Sequence, residues 1–395
     1  MILQEAKETI ARVLDPIGYD QFFDEIFGRK HLAVIGNDVA DCRMLLGDDP
    51  KKTILSGYED HAHTLTCHIR NAATPPPIPR RVPDAQAYAD LIKEYHERDY
   101  TIRVPDATNL TPELAAFNRA IDIVVGNPTG TVIFWSEGGA EAPVHDDEVD
   151  VIIIQLLGQK KWFISNDPPR LPNDWKALGA GEPPMGQYST YDVKPGDLLY
   201  LPRGTTHTVQ STSESIHLAI GFKPVTVRDA VMSMLDYLSD LDMPLRTQLG
   251  ARADALAHNQ LSQLMVRQIG ETLQKLQQGL RSEAFIRDSL AHRHAKMLME
   301  LPTLPKNTLE KPLTANSVVR QHPLAAARLC VTPNILDFRQ PGTYTLVHLG
   351  VESSMRYLMN TPEFRVGDIP GDVGDDVRIA LVKMFVENGY LTVVK

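Results

Sequence analysis

Cysteine is scarce in this chain of 395 residues, which contains only Cys42, Cys67 and Cys330. Their odd number and wide spacing argue against a disulfide framework and indicate a reducing compartment. Long hydrophobic runs are also missing, because the most apolar stretch, residues 149–157, is interrupted by polar residues and is too short to cross a bilayer. We therefore expect no membrane partner.

Basic residues do not dominate the composition either. The chain has 40 Lys+Arg against 50 Asp+Glu, a formal net charge of −10, which argues against a general nucleic-acid binder and favours neutral or basic partners. The first residues lack a basic segment followed by an apolar one, so we expect no signal peptide and a cytoplasmic location. The length and the hydrophobic content of 43% are those of a globular protein with two or three domains.

Two short motifs carry the chemistry that can be recognised in the sequence. His145-Asp-Asp147 supplies an imidazole and a carboxylate, and His207 supplies a second imidazole. This set is typical of non-haem Fe(II) oxygenases, which hold iron on one face and leave the other positions open. If 145–147 is a strand, His145 and Asp147 point to one side and Asp146 to the other. The alternative is a surface acidic cluster with an unrelated histidine.

The surroundings of both motifs resemble the two motifs of the cupin barrel. They read Gly139-x5-His-x-Asp147 and Gly196-x5-Pro-x-Gly-x2-His207. Asp147 stands where many cupins have a second histidine, and the later glutamate of the first motif is missing. These departures are typical of the JmjC-type oxygenases that depend on iron and 2-oxoglutarate. Ser211, where cupins often have asparagine, is a further departure.

A third phrase extends the resemblance to the bacterial ribosomal-protein hydroxylases, or ribosomal oxygenases. Members carry Gly-x-Arg/Lys-x-Trp after the first motif, and this chain has Gly-Gln-Lys160-Lys-Trp162. The resemblance implies that His145, Asp147 and His207 form the catalytic Fe(II) site. It also implies that Lys160 anchors the co-substrate 2-oxoglutarate, which reacts with O2.

Two further polar residues are candidates for co-substrate binding. Ser136 matches a hydroxyl that family members direct at the same carboxylate, although a strand-end serine bonded to backbone is an equal alternative. His217 follows His207 on the next predicted strand, where it could bond the co-substrate or be a core histidine.

Two other clusters allow rival interpretations. His61-Ala-His63, with His68 downstream, has the spacing of two metal ligands on a strand, but we expect it to form a polar strand edge rather than a metal site. Carboxylates surround the first motif and form either a solvated edge or a rim that selects a cationic substrate; they are Glu137, Glu141, Asp146, Glu148 and Asp150.

The pattern of apolar residues predicts three domains. We expect a mainly β core over 1–224, a double-stranded β-helix of the cupin/JmjC type with N-terminal α/β elements. Two apolar stripes predict long amphipathic helices over 225–300, a dimerisation module that would make the protein a homodimer. Residues 301–395 end in a helix, a glycine and a strand, resembling a winged helix. With 10 Lys+Arg and 9 Asp+Glu and no basic cluster, this part does not predict nucleic-acid binding.

The sequence thus predicts an Fe(II)- and 2-oxoglutarate-dependent dioxygenase that hydroxylates a side chain of a protein or peptide. A basic, ribosomal-protein-like substrate and a biosynthetic peptide are both compatible with the motifs. The alternatives are a demethylase, a cupin enzyme independent of 2-oxoglutarate, which would not need Lys160, and a non-enzymatic cupin-fold binding or regulatory protein.

Overall fold

The computed structural model describes residues 3–36, 40–68, 82–171, 183–249, 262–309 and 311–394. The chain divides into two compact units, Met1–Pro224 and Val225–Lys395. The finer division of the second unit at residue 300 stays a prediction. Within the described ranges, no helix combines the length and the apolar character needed to cross a membrane.

The first unit places helices around a β core. Its helices are α1 (Leu3–Val13), α2 (Tyr19–Gln21), α3 (Ala40–Arg43), α4 (Pro50–Ser56), α5 (Tyr58–His61), α6 (Ala85–His96) and α7 (Pro112–Val125), with shorter helical turns at Phe22–Ile26, Met44–Leu46 and Ala107–Asn109. Its strands are β1 (Leu32–Val34), β2 (Thr66–His68), β3 (Thr101–Val104), β4 (Thr129–Ser136), β5 (Asp150–Leu157), β6 (Lys160–Ser165), β7 (Tyr188–Val193), β8 (Leu198–Leu201), β9 (His207–Ser211) and β10 (Ser215–Phe222).

Two antiparallel sheets form this core. The larger has the strand order β1-β8-β5-β10-β4-β3-β2, and the smaller has the order β7-β6-β9. The chain crosses from the larger sheet to the smaller one between β5 and β6 and between β8 and β9, and it returns between β7 and β8 and between β9 and β10. This is the double-stranded β-helix predicted from the sequence.

Strand β5 is buried on both faces, which explains why its sequence is almost entirely apolar. Ile152 and Ile154 pack into a cluster with residues of the surrounding helices. Val151 and Ile153 pack on the other face with Trp162 of the smaller sheet. Because successive strand residues point to opposite faces, a strand covered on both sides must be apolar at nearly every position.

The second unit contains helices followed by small sheets. Its helices are α8 (Val227–Leu241), α9 (Gln263–Gly279), α10 (Glu283–Glu300), α11 (Glu352–Asn360) and α12 (Asp375–Glu387), with shorter turns at Met243–Arg246, Leu349–Val351 and Val366–Asp368. Its strands are β11 (Val318–Gln321), β12 (Arg328–Val331), β13 (Leu336–Gln340), β14 (Thr343–Val347), β15 (Glu363–Arg365) and β16 (Leu391–Val393), in two sheets ordered β15-β11-β16 and β12-β13-β14.

Several local predictions for this unit can be compared with the structure. Thr226 and Asp229 form a capping box at the start of α8. Helix α10 follows the two helices that the apolar stripes predicted, and it was not predicted because its amphipathic pattern is weaker. Gly389, which follows α12, has a φ of 84° and precedes the terminal strand β16.

Candidate functional site

A cavity of about 350 Å³ lies between the two sheets of the first unit. Strands β4, β5 and β10 line it from the larger sheet, and β6 and β9 line it from the smaller one. The residues singled out for the site in the sequence all line this one cavity; they are Ser136, His145, Asp147, Lys160, His207 and His217.

Three of these side chains converge on one point. Their ligand atoms, from His145, Asp147 and His207, all lie within 4.8 Å of one another. Nε2 of His207 is 3.7 Å from Oδ2 of Asp147, and the two imidazole ring centroids are 4.3 Å apart. Within the described residues this is the only group of three such side chains that could hold a metal ion.

The nitrogen atoms of the two histidines are arranged as a divalent transition metal requires. Nδ1 of His145 lies 2.8 Å from the carbonyl oxygen of Pro143, and Nδ1 of His207 lies 2.9 Å from that of Thr205. Each Nδ1 therefore carries the proton and donates it, which leaves the Nε2 lone pair available for a metal. Burial, and then the neighbouring His145, lower the pKa of His207 to about 4, so this imidazole is neutral near pH 7. The donor set fits Fe(II).

The local backbone differs from the predicted strand. Residues 145–147 precede β5 as a loop, and only His145 takes part in an isolated bridge, with His207. The side-chain directions nevertheless follow the prediction. Asp147 lines the cavity, whereas Asp146 forms an ion pair with Arg170. The geometry of the loop thus directs Asp147 towards the cavity and Asp146 away from it, as strand alternation had predicted.

Lys160 enters the cavity directly after the chain changes sheets. Gly158, at φ 63°, turns the chain between β5 and β6, and a Cβ atom there would overlap the carbonyl group of Glu214. The Lys160 side chain is 2% exposed, and its Nζ donates to Oγ of Ser136 at 2.9 Å. Burial lowers the pKa of this amine to about 7. No carboxylate pairs with Lys160 among the described residues, so the site lacks a counter-charge that a bound anion would provide.

His217 lies beside this lysine in the same pocket. Its ring stacks on Phe134 with centroids 5.0 Å apart and meets the edge of Trp162 at 5.5 Å. Burial, and then the charge of Lys160, lower its pKa well below the ordinary value. Its buried Nδ1 has no hydrogen-bond partner in the described part of the chain. The imidazole is therefore neutral and has an unused nitrogen.

Comparison with known proteins assigns the part of the chain that carries this site. Residues 109–230 match the family model described as the JmjC domain. This part of the chain is a JmjC domain.

Curated relatives of the chain include hydroxylases and oxygenases. The chain is 26% identical over 228 residues to the bifunctional lysine-specific demethylase and histidyl-hydroxylase NO66 of Dictyostelium discoideum, covering 55% of this chain and 43% of that protein. It is 28% identical over 176 residues to ribosomal oxygenase 2 of Rattus norvegicus, covering 42% and 37% respectively. The chain thus spans less than half the length of these curated relatives.

A solved structure shows the same fold over nearly the whole chain. The structure of YcfD, a ribosomal oxygenase from Escherichia coli in complex with cobalt and 2-oxoglutarate, has a TM-score of 0.56 at 14% identity. The likeness covers 95% of this chain and 97% of that one. The predicted fold of the JmjC domain is thereby confirmed.

Two residues of β3 line the JmjC cavity without having been predicted. Thr101 Oγ1 lies 3.0 Å from Oγ of Ser136, and Arg103 lines the cavity from the same strand face. They were missed because β3 belongs to no recognised motif and lies far from both motifs in sequence. The alternation of polar residues in Thr101-Ile-Arg103 is the signal that could have found them.

Few of the carboxylates around the first motif line the cavity, which limits the alternative of a substrate-selecting rim. Asp150 is fully buried and accepts hydrogen bonds from Tyr200 Oη at 2.5 Å and from the backbone N–H of Arg203 at 3.1 Å. Asp146 is neutralised by its ion pair with Arg170. Of the predicted cluster, Glu141 lines the cavity.

The rival metal site is not formed by the described residues. His61 is the last residue of α5, and His63 lies in the turn after it, so the two do not alternate on a strand. The short polar segment was ambiguous because a helix end and a strand edge have similar compositions. The side chain of His68 lies outside the described residues.

Proposed function

We propose that this protein is an Fe(II)- and 2-oxoglutarate-dependent dioxygenase that hydroxylates a side chain of a protein or peptide. The observation that carries the proposal is the convergence of His145, Asp147 and His207 in one cavity with the buried cation of Lys160. The names of the relatives, which include ribosomal oxygenases and hydroxylases, support it.

His145, Asp147 and His207 would hold the iron. Their two imidazoles and one carboxylate would leave the remaining positions of an octahedral ion for the co-substrate and O2. The bound iron supplies the oxidising chemistry that places one atom of O2 in a substrate C–H bond while 2-oxoglutarate becomes succinate and CO2. The hydrogen bonds from the two Nδ1 atoms hold the imidazole planes in place.

Lys160, Ser136 and Thr101 would bind the distal carboxylate of 2-oxoglutarate. The ammonium of Lys160 would form a charge-assisted hydrogen bond, and the two hydroxyls offer further donors. His217 would donate from its unused nitrogen to the same co-substrate. Because Lys160, Ser136 and His217 are buried, their bonds would form in a site from which water is largely excluded.

The apolar remainder of the cavity would position the reacting carbon. Val132, Val149 and Val151 line it together with Arg103. Apolar walls exclude water from the reacting C–H bond, and polar groups at the wall fix the orientation of the substrate. This arrangement supports a side chain inserted from a protein or peptide more than a fully polar small molecule.

Turnover tests the proposal directly. Purified protein supplied with Fe(II), 2-oxoglutarate and ascorbate should release succinate when a lysate peptide fraction is added. Peptides should gain 16 Da, whereas loss of 14 Da with formaldehyde release would identify N-methyl demethylation instead. His207→Ala should abolish both signals. Succinate release that persists in His207→Ala would contradict the assignment of the iron site.

The second unit would make the protein a homodimer. On α9, Val266, Ile269 and Leu273 are 55%, 48% and 59% exposed. Their spacing places them on one face of the helix. An apolar face of this kind is typical of an interface rather than of a solvated helix, and the helical dimerisation module predicted from the sequence supplies its occupant, a second copy of the chain.

A further inference from the structure

Arg103 lines the JmjC cavity from a fixed position in the larger sheet. In the strand register it is directly opposite Thr66 of β2 and Phe134 of β4, and its carbonyl oxygen accepts a hydrogen bond from Thr66 Oγ1 at 3.4 Å. Pairing on both sides fixes the backbone at this residue. Arg103 and Phe134 both line the cavity, as expected for residues that are directly opposite each other and share a face of the sheet.

Aromatic rings lead from Arg103 to the candidate iron site. The ring of Phe134, opposite Arg103, stacks on His217 with centroids 5.0 Å apart. Trp162 of the smaller sheet meets the His217 ring at 5.5 Å and stacks on the iron ligand His207 at 5.8 Å. All five side chains line the one cavity. Arg103 therefore borders the same space as the iron ligand.

The residues proposed to bind the co-substrate lie at another level of this cavity. Ser136, which accepts the hydrogen bond from Lys160, and Thr101, which contacts Ser136, are each two residues along their strands from Phe134 and Arg103. Two residues of a strand span about 7 Å. The distal carboxylate of 2-oxoglutarate would be held at the level of Thr101, which leaves Arg103 to another ligand.

Arg103 is a cation without a partner in the described part of the chain. Its side chain is partly buried and forms no hydrogen bond or ion pair with a described residue. Of the other charged groups that line the cavity, Lys160 and Asp147 would be engaged by the co-substrate and the iron, and Glu141 already has a partner. Removing a charge from water costs free energy unless an opposite charge compensates it. The substrate is the component that can supply this charge.

We propose that Arg103 selects a substrate with a carboxylate group next to the carbon that is oxidised, either an aspartate or glutamate side chain or the carboxyl terminus of a chain. This inference rests on the proposed function and specifies its substrate class. A guanidinium group can donate two parallel hydrogen bonds to a carboxylate, whereas it would repel the cation of a lysine or arginine. The net charge of −10 favoured neutral or basic partners, but surface charges are screened over about 10 Å, so the direct contact with Arg103 dominates.

Blocked amino acids test this selectivity on protein loaded with Fe(II) and 2-oxoglutarate without oxygen. N-acetylaspartate N-methylamide carries a side-chain carboxylate and N-acetylglycine a terminal one. The asparagine and lysine N-acetyl N-methylamides are the neutral and basic counterparts. Relaxation of the acetyl protons by the paramagnetic iron, at constant ionic strength, measures binding beside the metal. At least one carboxylate probe should bind about tenfold more tightly than the neutral and basic probes, and the preferred probe assigns the source of the carboxylate.

Three variants show whether Arg103 causes this preference. Arg103→Gln should remove it, and Arg103→Lys, which keeps the charge without the planar fork, should retain part of it. If Arg103→Gln fails to fold, the weakened preference of Arg103→Lys takes its place. The matched control Arg98→Gln removes an exposed arginine paired with Glu94 at 2.6 Å, and it should bind every probe as the parent does.

Calorimetry of Fe(II) and 2-oxoglutarate binding separates this inference from the proposed function. A parent protein that binds neither contradicts the proposed function, and this inference with it. A loaded parent that shows no preference for a carboxylate probe overturns the inference alone, and so does a preference that survives unchanged in the Arg103 variants. If Arg103→Gln loses as much affinity for 2-oxoglutarate as for the probe, Arg103 is a ligand of the co-substrate and the inference is also wrong.

Discussion

His145 and His207 are joined through their main chains. The backbone N–H of His145 donates to the carbonyl of His207 at 3.0 Å, and that of His207 donates back at 2.8 Å. This isolated bridge holds the two imidazoles side by side before any metal binds. The conformational entropy of these residues is therefore lost on folding and not on metal binding. The third candidate ligand, Asp147, is held on the same loop by the backbone N–H of Gly204, which donates to its carbonyl at 2.8 Å.

Adjacent carboxylates provide a stringent test of the metal site. Asp147→Asn should lower Fe(II) affinity and 2-oxoglutarate turnover by at least a hundredfold, because an amide is a weaker and uncharged ligand. Asp146→Asn is the matched control, since Asp146 pairs with Arg170, and it should keep turnover within a few-fold of the parent. Titration with Fe(II) without oxygen, followed by a succinate assay, measures both quantities. Equal losses in the two variants would contradict the assignment of Asp147.

Features that depend on neighbouring residues in the sequence were predicted correctly, whereas features that depend on contacts between distant segments were not. Lys160 could be located because Gly158 and Trp162 flank it in a short phrase, and β5 could be recognised from a run of apolar residues. The conformation of 145–147 could not be predicted, because this loop is fixed by the bridge between His145 and His207, a contact between segments that are distant in sequence. Thr101 and Arg103 share this difficulty: only the pairing of β3 with β4 brings them to the cavity.

Lys160 should increase the affinity for 2-oxoglutarate and decrease the stability of the protein without co-substrate. Lys160→Met should lower 2-oxoglutarate affinity at least a hundredfold because the distal carboxylate loses its cation. The same change should stabilise the protein without co-substrate by about 1–4 kcal/mol, since replacing a buried charge by an apolar side chain removes its desolvation cost. Lys161→Met is the control: Lys161 points away, with its Nζ 3.6 Å from Asp192, and neither quantity should change much. Calorimetry and denaturant unfolding measure the two effects. A destabilised Lys160→Met that still binds 2-oxoglutarate would exclude this role.

The binding of 2-oxoglutarate should depend on pH through Lys160. The pKa of about 7 in the free protein lies below the ordinary 10.5, so the ammonium form is fully present only below pH 7. Affinity should therefore be constant at lower pH and fall by up to about tenfold for each unit above 7. Stability should change in the opposite sense: between the folded and unfolded pKa values the unfolded chain binds more protons, so unfolding becomes less favourable as the pH rises.

Calorimetric titrations from pH 6 to 9 on Fe(II)-loaded protein without oxygen would measure this dependence. Lys160→Arg should flatten it because a guanidinium stays charged throughout. A profile in the parent protein as flat as in that variant would show that Lys160 is not the titrating group. Metal affinity measured over the same range controls for proton competition at the ligands.

Gly158 should be the least replaceable residue of the connection between β5 and β6. Gly158→Ala adds a Cβ that would overlap the carbonyl of Glu214 at a φ that only glycine adopts easily. We expect a loss of at least about 3 kcal/mol in unfolding free energy, as for other strained or overpacked positions. In Gly130→Ala, the added Cβ meets nothing within 4 Å, so its stability should stay within about 1 kcal/mol of the parent. Equal stability of the two variants would show that the turn can relax.

The exposed face of α9 should determine the oligomeric state. Replacing Ile269 and Leu273 together by glutamate places two charges in the proposed interface, where each would be desolvated without a partner. We expect the parent to sediment as a dimer at micromolar concentration and the double variant to dissociate at least a hundredfold more readily. Glu271→Gln, on the same helix, removes a surface charge 3.8 Å from Arg267 and should leave the dimer intact. A parent protein that sediments as a monomer, or a double variant that remains dimeric, would show that this apolar face is not the dimer interface.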